Sequence, residues 1–483
     1  MKAKTNGKPA VKPKAKPQPV VGIPNWYNLF VRTKKGEIAS TAGNVILALS
    51  NDPEWKDVLG FNTFIGDIEA TKPPPWRGDL APGADPSGRP GPRYWTDQDT
   101  TRCGAWLARK HGVICPDWIV GSALQVFAEQ KKFHPVRDWL SSLEWDGEER
   151  VNSWLIRHAG AKDDHYTRSV TAKWMIGLVS RAFEPGCMFR MMLILEGPQD
   201  IRKSTALRVL ATHDEWFLET TIEMGSKDSY QTLRGKWIVE FAELDSLSRS
   251  ETSRVKQYVS ERVSTYRPSY GRRSIDFFRQ CGFAGSTNDS TYLKDDTGAT
   301  RFYPVQVTKS IDVEALIEER DQLWAEAVHR YKKGELPFIS DPTIRATAAK
   351  VAESRRHADP WEDPAHRWLL RLPQKRRDDG VTTYELLTMG LTKEAAHLTR
   401  GDEMRAAAVL RACGWGLSGR PRDGEGRRRV YRPTRGTLKA VGPNGPHSDH
   451  ETPVSSVNIR KVQLVQPVQE GSAIGGEGAD EEE

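Results

Sequence analysis

The apolar positions of this chain gather into a few short continuous runs. In one of them, Met192, Leu193, Ile194 and Leu195 give way to a polar loop from Gly197 to Thr205, and then to the helical spacing of Ala206, Leu207, Val209 and Leu210. A brief apolar run bounded by turn residues and followed by 3.6-residue periodicity predicts strand, loop and helix in that order. A second run, KWIVEFAELD at 236–245, reads as a buried strand that ends in carboxylates at Glu240 and Glu243. A third, CGFAGSTN at 281–288, reads as a strand with a polar tip at Thr287 and Asn288. Between them, residues 264–274 predict a hairpin with its turn near Pro268 to Gly271. Residues 314–330 have the spacing of an amphipathic helix.

Upstream, residues 26–185 carry mostly helical patterning, with amphipathic faces at 122–128 and 154–157 and a break at His134 and Pro135. The Pro/Gly-rich stretch 72–92 must be loop. The expected organisation is a basic disordered tail at 1–22, a mainly α-helical domain at 23–185, a P-loop ATPase domain at 186–340, and a charged linker at 341–360. A small domain comes next at 361–434, then a disordered tail at 435–483. In the small domain a helix starting near Thr382, another from Glu403 to Cys413 and a basic hairpin at 416–432 have the layout of a winged helix.

Composition narrows the class. Among 483 residues 37% are hydrophobic and sixteen are Trp, enough for more than one core. No apolar run approaches the roughly 20 residues of a membrane span, and the first residues have no hydrophobic signal core, so a cytoplasmic protein is expected. The five cysteines show no paired ligand spacing, which predicts reduced thiols and no zinc. A net charge of +7 suits a polyanionic partner.

The loop at 197–205 supplies the candidate chemistry. In a P-loop, backbone N–H groups at a helix N-terminus cradle phosphates, a Lys reaches the β- and γ-phosphates, and a Ser or Thr hydroxyl ligates Mg²⁺. Gly197, Lys203 and Ser204 stand at that spacing, and Pro198, Gln199 and Thr205 complete the expected ATP-binding set. Arg202 stands where the pattern has its second Gly. Glu240 is placed with Ser204 on Mg²⁺, and Glu243 is the candidate for polarising water. Asn288 is the candidate for orienting it, and Arg301 is a candidate arginine finger. Arg267, Arg272 and Arg273, interleaved with Tyr266 and Tyr270, suit phosphate contact and base stacking, and Arg427, Arg428 and Arg429 in the C-terminal hairpin suit contact with DNA phosphates.

These motifs carry a resemblance. From about Trp95 to Val307 the chain resembles the virulence-associated protein E family, phage and mobile-element replication proteins related to superfamily 3 helicases of the AAA+ class. The matching stretches are HPVRDWLSSLEWDG at 134–147, PGCMFRMMLILEGPQ at 185–199, KWIVEFAELD at 236–245, YRPSYGR at 266–272, FAGSTN at 283–288 and YLKDDTGATRFYPV at 292–305. The resemblance implies an α/β fold with an AAA+-like ATPase core, and ATP-driven translocation on single-stranded DNA by a homo-oligomeric ring. It places Lys203 and Ser204 on nucleotide and Glu240 and Glu243 on the second strand. Asn288 becomes the sensor, and Arg301 acts across a subunit interface. The family loop resembles GPQGIGKST, and here Asp200 and Arg202 replace both internal glycines; the family's RRF is Thr300, Arg301 and Phe302.

The expectation is an ATP-dependent DNA helicase or translocase of phage or mobile-element replication, using ATP and Mg²⁺ and working with other replication proteins such as a primase or loader. In a phage-encoded protein the compartment is the host cytoplasm. The alternative is a DNA-binding initiator or regulator that keeps the AAA+ shape with a weak or inactive ATPase.

Overall fold

A computed structural model describes residues 24–76, 93–220, 227–246, 248–267, 273–289, 291–292, 301–356, 359–418 and 429–434. The chain divides after Pro360 into two units.

The first unit begins with α1 (Ala42–Asn51), β1 (Leu59–Asn62), β2 (Asp67–Ala70), β3 (Arg93–Tyr94), α2 (Asp97–His111), α3 (Asp117–Ala128) and β4 (Lys132–Phe133). The strands form one sheet in the order β3-β2-β1-β4, with β1 antiparallel to β2 and parallel to β4. Trp55, Leu59, Trp106, Leu107 and Leu124 are buried between sheet and helices in a core of their own. Helices make up most of the regular structure between residues 24 and 183, and this small sheet stands beside them. Strands of two to four residues are too short to show a period-2 signal in the sequence.

Next come α4 (Pro135–Ser142), α5 (Trp154–Ala159) and α6 (His165–Phe183). The expected boundary at 185 does not divide these helices from the strands after it. Buried residues of α6, including Trp174, Met175 and Leu178, share one core with Leu193 and Leu195 of the next strand. Trp174 Nε1 donates to the Phe283 carbonyl at 2.8 Å. A helix buried nearly all round is interior, and so it has no polar stripe to mark it as the edge of a domain.

The chain then runs β5 (Met192–Glu196), α7 (Lys203–Leu210), β6 (Phe217–Thr220), α8 (Lys227–Thr232), β7 (Ile238–Phe241), α9 (Arg249–Ser260), β8 (Val263–Tyr266), β9 (Ile275–Phe278), β10 (Gly282–Thr287), β11 (Phe302–Gln306), α10 (Val313–Lys332) and α11 (Pro342–Glu353). Five strands form a sheet in the order β11-β5-β10-β7-β6, every neighbouring pair parallel. All residues of β5, β7 and β10 are buried. This explains their unbroken apolar runs, since helices cover both faces of a parallel sheet. β8 and β9 form a separate antiparallel hairpin, Tyr266 opposite Ile275. The segment expected as linker contains α11, whose Ala348 and Ala352 are buried. Its charge is on the outward face.

The second unit contains α12 (Glu362–Arg371), α13 (Gln374–Asp379), β12 (Val381–Thr382), α14 (Thr383–Glu385), α15 (Arg400–Ala412), β13 (Trp415–Ser418) and β14 (Val430–Pro433). After α14 the helix continues as a π-turn over Leu386–Gly390. The strands form an antiparallel sheet in the order β12-β14-β13. Leu386, Val409, Leu410, Trp415 and Tyr431 fill its core.

Candidate nucleotide-binding site

The loop between β5 and α7 lies at the C-terminal end of a parallel sheet, where open α/β folds place their ligands. Its path is fixed from both sides. Gly197 N–H donates to the Thr287 carbonyl at 3.2 Å, and the Ile201 carbonyl accepts from Ile311 N–H at 3.1 Å. A Cβ at Gly197 would collide with the Val307 carbonyl and the Ile201 side chain, so this glycine is required by close approach.

Asp200 and Arg202 both adopt left-handed backbone, with φ 63° and 64°. These are the two positions where the resembled loop carries glycine, and the geometry gives the reason: the turn needs positive φ twice. The Arg202 side chain turns away to form a two-bonded ion pair with Glu314 at the start of α10, at 2.9 and 2.7 Å. That pairing holds the guanidinium above and the Glu314 carboxyl below their ordinary ranges. The N-terminus of α7 has no side-chain cap, which leaves its first N–H groups available to an anion.

Lys203 is buried, and its Nζ donates to the carbonyls of Gly197 and Pro198, both at 2.7 Å, and to Asn288 Oδ1 at 3.0 Å. Burial lowers its pKa, against the fields of Glu240, Asp200 and Asp245. Ser204 Oγ donates to Glu240 Oε1 at 2.8 Å. Glu240 is fully buried, and that burial raises its pKa against the hydroxyls of Ser286 and Ser204. Its Oε2 is buried and makes no hydrogen bond of good geometry with a described residue. A hydroxyl beside a carboxylate with an unsatisfied oxygen suits a hard, hydrated divalent cation. A cavity of about 390 Å³ is lined by Gln199, Lys203, Ser204, Thr205, Glu243 and Asn288, together with Asp200, Glu219 and Thr287. Glu243, exposed at the mouth, has φ 52°. Pro198 contributes its carbonyl to Lys203.

Arg301 is not part of this cluster within one chain. It precedes β11 at the opposite end of the sheet, where its carbonyl accepts from Met192 N–H at 2.9 Å and its guanidinium donates to Ser260 of α9. Arg267 and Arg273 are exposed on either side of the hairpin turn and do not line the cavity. Arg272, Arg427 and Arg428 lie outside the described residues, and Arg429 is exposed at the start of β14.

Sequence reasoning missed a set of contacts behind the loop. Glu196, the last residue of β5, is buried and accepts from Tyr292 Oη at 2.9 Å and from Arg355 Nε and Nη2 at 3.0 and 2.9 Å. Burial pushes the Tyr292 hydroxyl well up, and the bond to Glu196 raises Arg355. An acid ending an apolar strand was a usable signal for Glu196, whereas nothing local marks Arg355.

With this geometry in view, residues 140–358 match the family model of the virulence-associated protein E-like domain. The chain carries a virulence-associated protein E-like domain. That domain takes in α5 to α11, the loop, and every residue of the cavity. Among solved structures, an apo structure of the NrS-1 C-terminal region is similar at TM-score 0.42 and 10% identity, over 79% of this chain and 99% of that one. An A-form apo structure of the same region gives TM-score 0.38 and 10% identity over 74% and 84%. No curated protein matches the chain. Among the described residues no helix is long and apolar enough to cross a membrane.

Proposed function

We propose that this virulence-associated protein E-like chain is a P-loop ATPase of phage or mobile-element DNA replication, acting as an ATP-dependent DNA helicase or translocase. The observation that carries the reading is the meeting of Lys203, Ser204 and Asn288 around one cavity at the C-terminal edge of a parallel sheet, with buried Glu240 directly behind Ser204. Lys203 is held by neutral acceptors only, so its charge is available to phosphate oxygens. The uncapped start of α7 adds backbone donors to the same place. Ser204 and Glu240 would hold Mg²⁺, which when bound supplies charge neutralisation between phosphates. Glu243, at the mouth, orients and polarises water, and Asn288 fixes the position of Lys203 while facing the same space. Catalysis of this kind is mainly positioning and electrostatic stabilisation.

Arg301 enters the reading only from a neighbouring subunit of a ring, since in its own chain it stands at the far end of the sheet. The second unit, with its helices and three-stranded sheet, is read as a winged-helix-like DNA-binding module.

The rival reading, a DNA-binding initiator or regulator with a weak ATPase, is favoured by one observation: Asp200 and Arg202 occupy positions that demand left-handed backbone. Nucleotide binding tests the proposal. Titration with a fluorescent ATP analogue and Mg²⁺ is expected to show saturable binding that falls at least tenfold in Lys203→Ala, a loss of about 1.4 kcal/mol. Equal affinity in wild type and Lys203→Ala sinks the ATP-site assignment.

A further inference from the structure

A second cavity, of about 620 Å³, lies within the C-terminal unit, lined by Thr382, Thr383 and Tyr384, by α15, and by Arg429 and Tyr431 of the β14 region. Its α15 wall is Arg400, Glu403, Met404, Ala407 and Arg411. Spacings of three, four, seven and eleven place these residues on one face of the helix. That face is not a core face: Arg400, Glu403 and Arg411 are exposed, and Met404 is 64% exposed.

The arginines of this unit fall into two groups. Arg376 pairs with Glu385 at 2.5 Å, Arg377 donates to the Leu372 carbonyl at 2.8 Å, Arg405 stacks on Trp361 at 3.9 Å, and Arg432 donates to Ser418 at 2.9 Å. These tie the fold together. The side chains of Arg400, Arg411 and Arg429 form no hydrogen bond or ion pair with any described residue, and all three residues line the cavity. Guanidinium groups left without partners around one concave surface have the chemistry of an anion site, because the planar fork pairs two-fold with phosphate oxygens.

The spacing selects the kind of anion. Arg400 and Arg411 are eleven residues apart on α15, roughly 16 Å along the helix axis. One phosphate could meet both only with the two side chains stretched toward each other along the helix, whereas each can take a phosphate of its own without that constraint. A nucleic-acid strand, with a charge about every 3.4 Å of rise, supplies phosphates at both ends and between them. Glu403 sits inside the arginine row, which suits a strand tracking past better than a closed pocket for a small anion. Tyr384 and Met404 offer apolar surface to sugars and bases.

We propose that this cleft, built by Arg400, Arg411 and Arg429, binds the phosphodiester backbone of a nucleic-acid strand. The site rests on the DNA-binding reading of this unit, shares no lining residue with the cavity around Lys203, and needs no nucleotide.

The test uses the full chain, no nucleotide, and labelled single-stranded and duplex oligonucleotides titrated over a range of salt. Each lost phosphate contact lowers the log–log salt slope by about 0.7 on a single strand and about 0.9 on a duplex. The triple variant Arg400→Gln, Arg411→Gln, Arg429→Gln is therefore expected to lose about 2 units of slope on single strands and nearly 3 on duplex. Divided by the factor per contact for each form, the larger drop identifies the preferred form. An unchanged slope and affinity on both forms overturns the proposal. So does displacement of the oligonucleotide by polyglutamate as readily as by unlabelled strand, which would make the cleft a site for acidic protein. Circular dichroism and the melting temperature check the fold of the triple variant. Should it not fold, Glu403→Gln decides, since removing the one negative group from the row must tighten binding, and unchanged or weaker binding overturns the idea. Because no nucleotide is present in this assay, a failure of the ATPase reading would show in hydrolysis and leave this result intact.

Discussion

Asp200 and Arg202 hold two left-handed positions in a loop that otherwise needs glycine, and each does so at a different cost. Asp tolerates positive φ because its short polar side chain bonds locally, whereas a long side chain there costs about 1 kcal/mol. Asp200 also lines the cavity with a negative charge. The two substitutions were plain in the sequence; the conformation that makes them matter was not, because φ at one residue depends on how the loop is pinned by Thr287 and Ile311. Nor could the sequence show where Arg202 points. It pairs with Glu314, an exposed pair of small worth, and not with Asp200. The double change Asp200→Gly with Arg202→Gly is expected to raise ATP affinity roughly fivefold, the effect of removing about 1 kcal/mol of charge repulsion in a wet site. Parallel titrations of the two proteins check this, and no gain means that the loop has accommodated both residues.

At the scale of elements, the strands and the loop were legible because β5, β7 and β10 are buried on both faces and so read as apolar runs, interrupted only by Glu196, Glu240 and the Ser286 and Thr287 tip. The segment around α11 was not legible. Its sequence looks like a charged linker, but two buried alanines dock it, and the arginine just beyond reaches Glu196 at the root of the loop. Such a contact between residues 159 positions apart leaves no local trace. Glu196 ends β5 immediately before Gly197, so its bonds to Arg355 and Tyr292 brace the strand from which the loop departs. Arg355→Gln is expected to cost about 2 kcal/mol of stability by leaving a buried carboxylate short of donors, and to weaken ATP binding. The double variant Glu196→Gln, Arg355→Gln should recover much of that stability. Urea denaturation of the single and double variants measures the coupling, and simple additivity would show that the pair does not act as a unit.

For the whole molecule, the start expected for the small domain at 361 coincides with that of the second unit, whereas the boundary expected at 185 falls within one core. The helices before β5 belong to the core of the sheet, and the separate unit begins only at Trp361. Arg301, at the opposite end of the sheet from Lys203, makes the completeness of the site a question about assembly. If neighbouring subunits share sites, Arg301→Ala and Lys203→Ala proteins, each inactive alone, are expected to regain part of the hydrolysis when mixed, since some interfaces then carry both intact residues. Turnover followed across mixing ratios checks this, and no recovery at any ratio removes Arg301 from the shared site.

The most direct test of the account is steady-state ATP hydrolysis by wild type and Lys203→Ala, each with and without single-stranded DNA. A DNA-coupled P-loop ATPase is expected to turn over slowly alone and faster on the strand, with both activities abolished by Lys203→Ala. Wild type that matches Lys203→Ala, with and without DNA, contradicts it and leaves a DNA-binding protein in an ATPase fold.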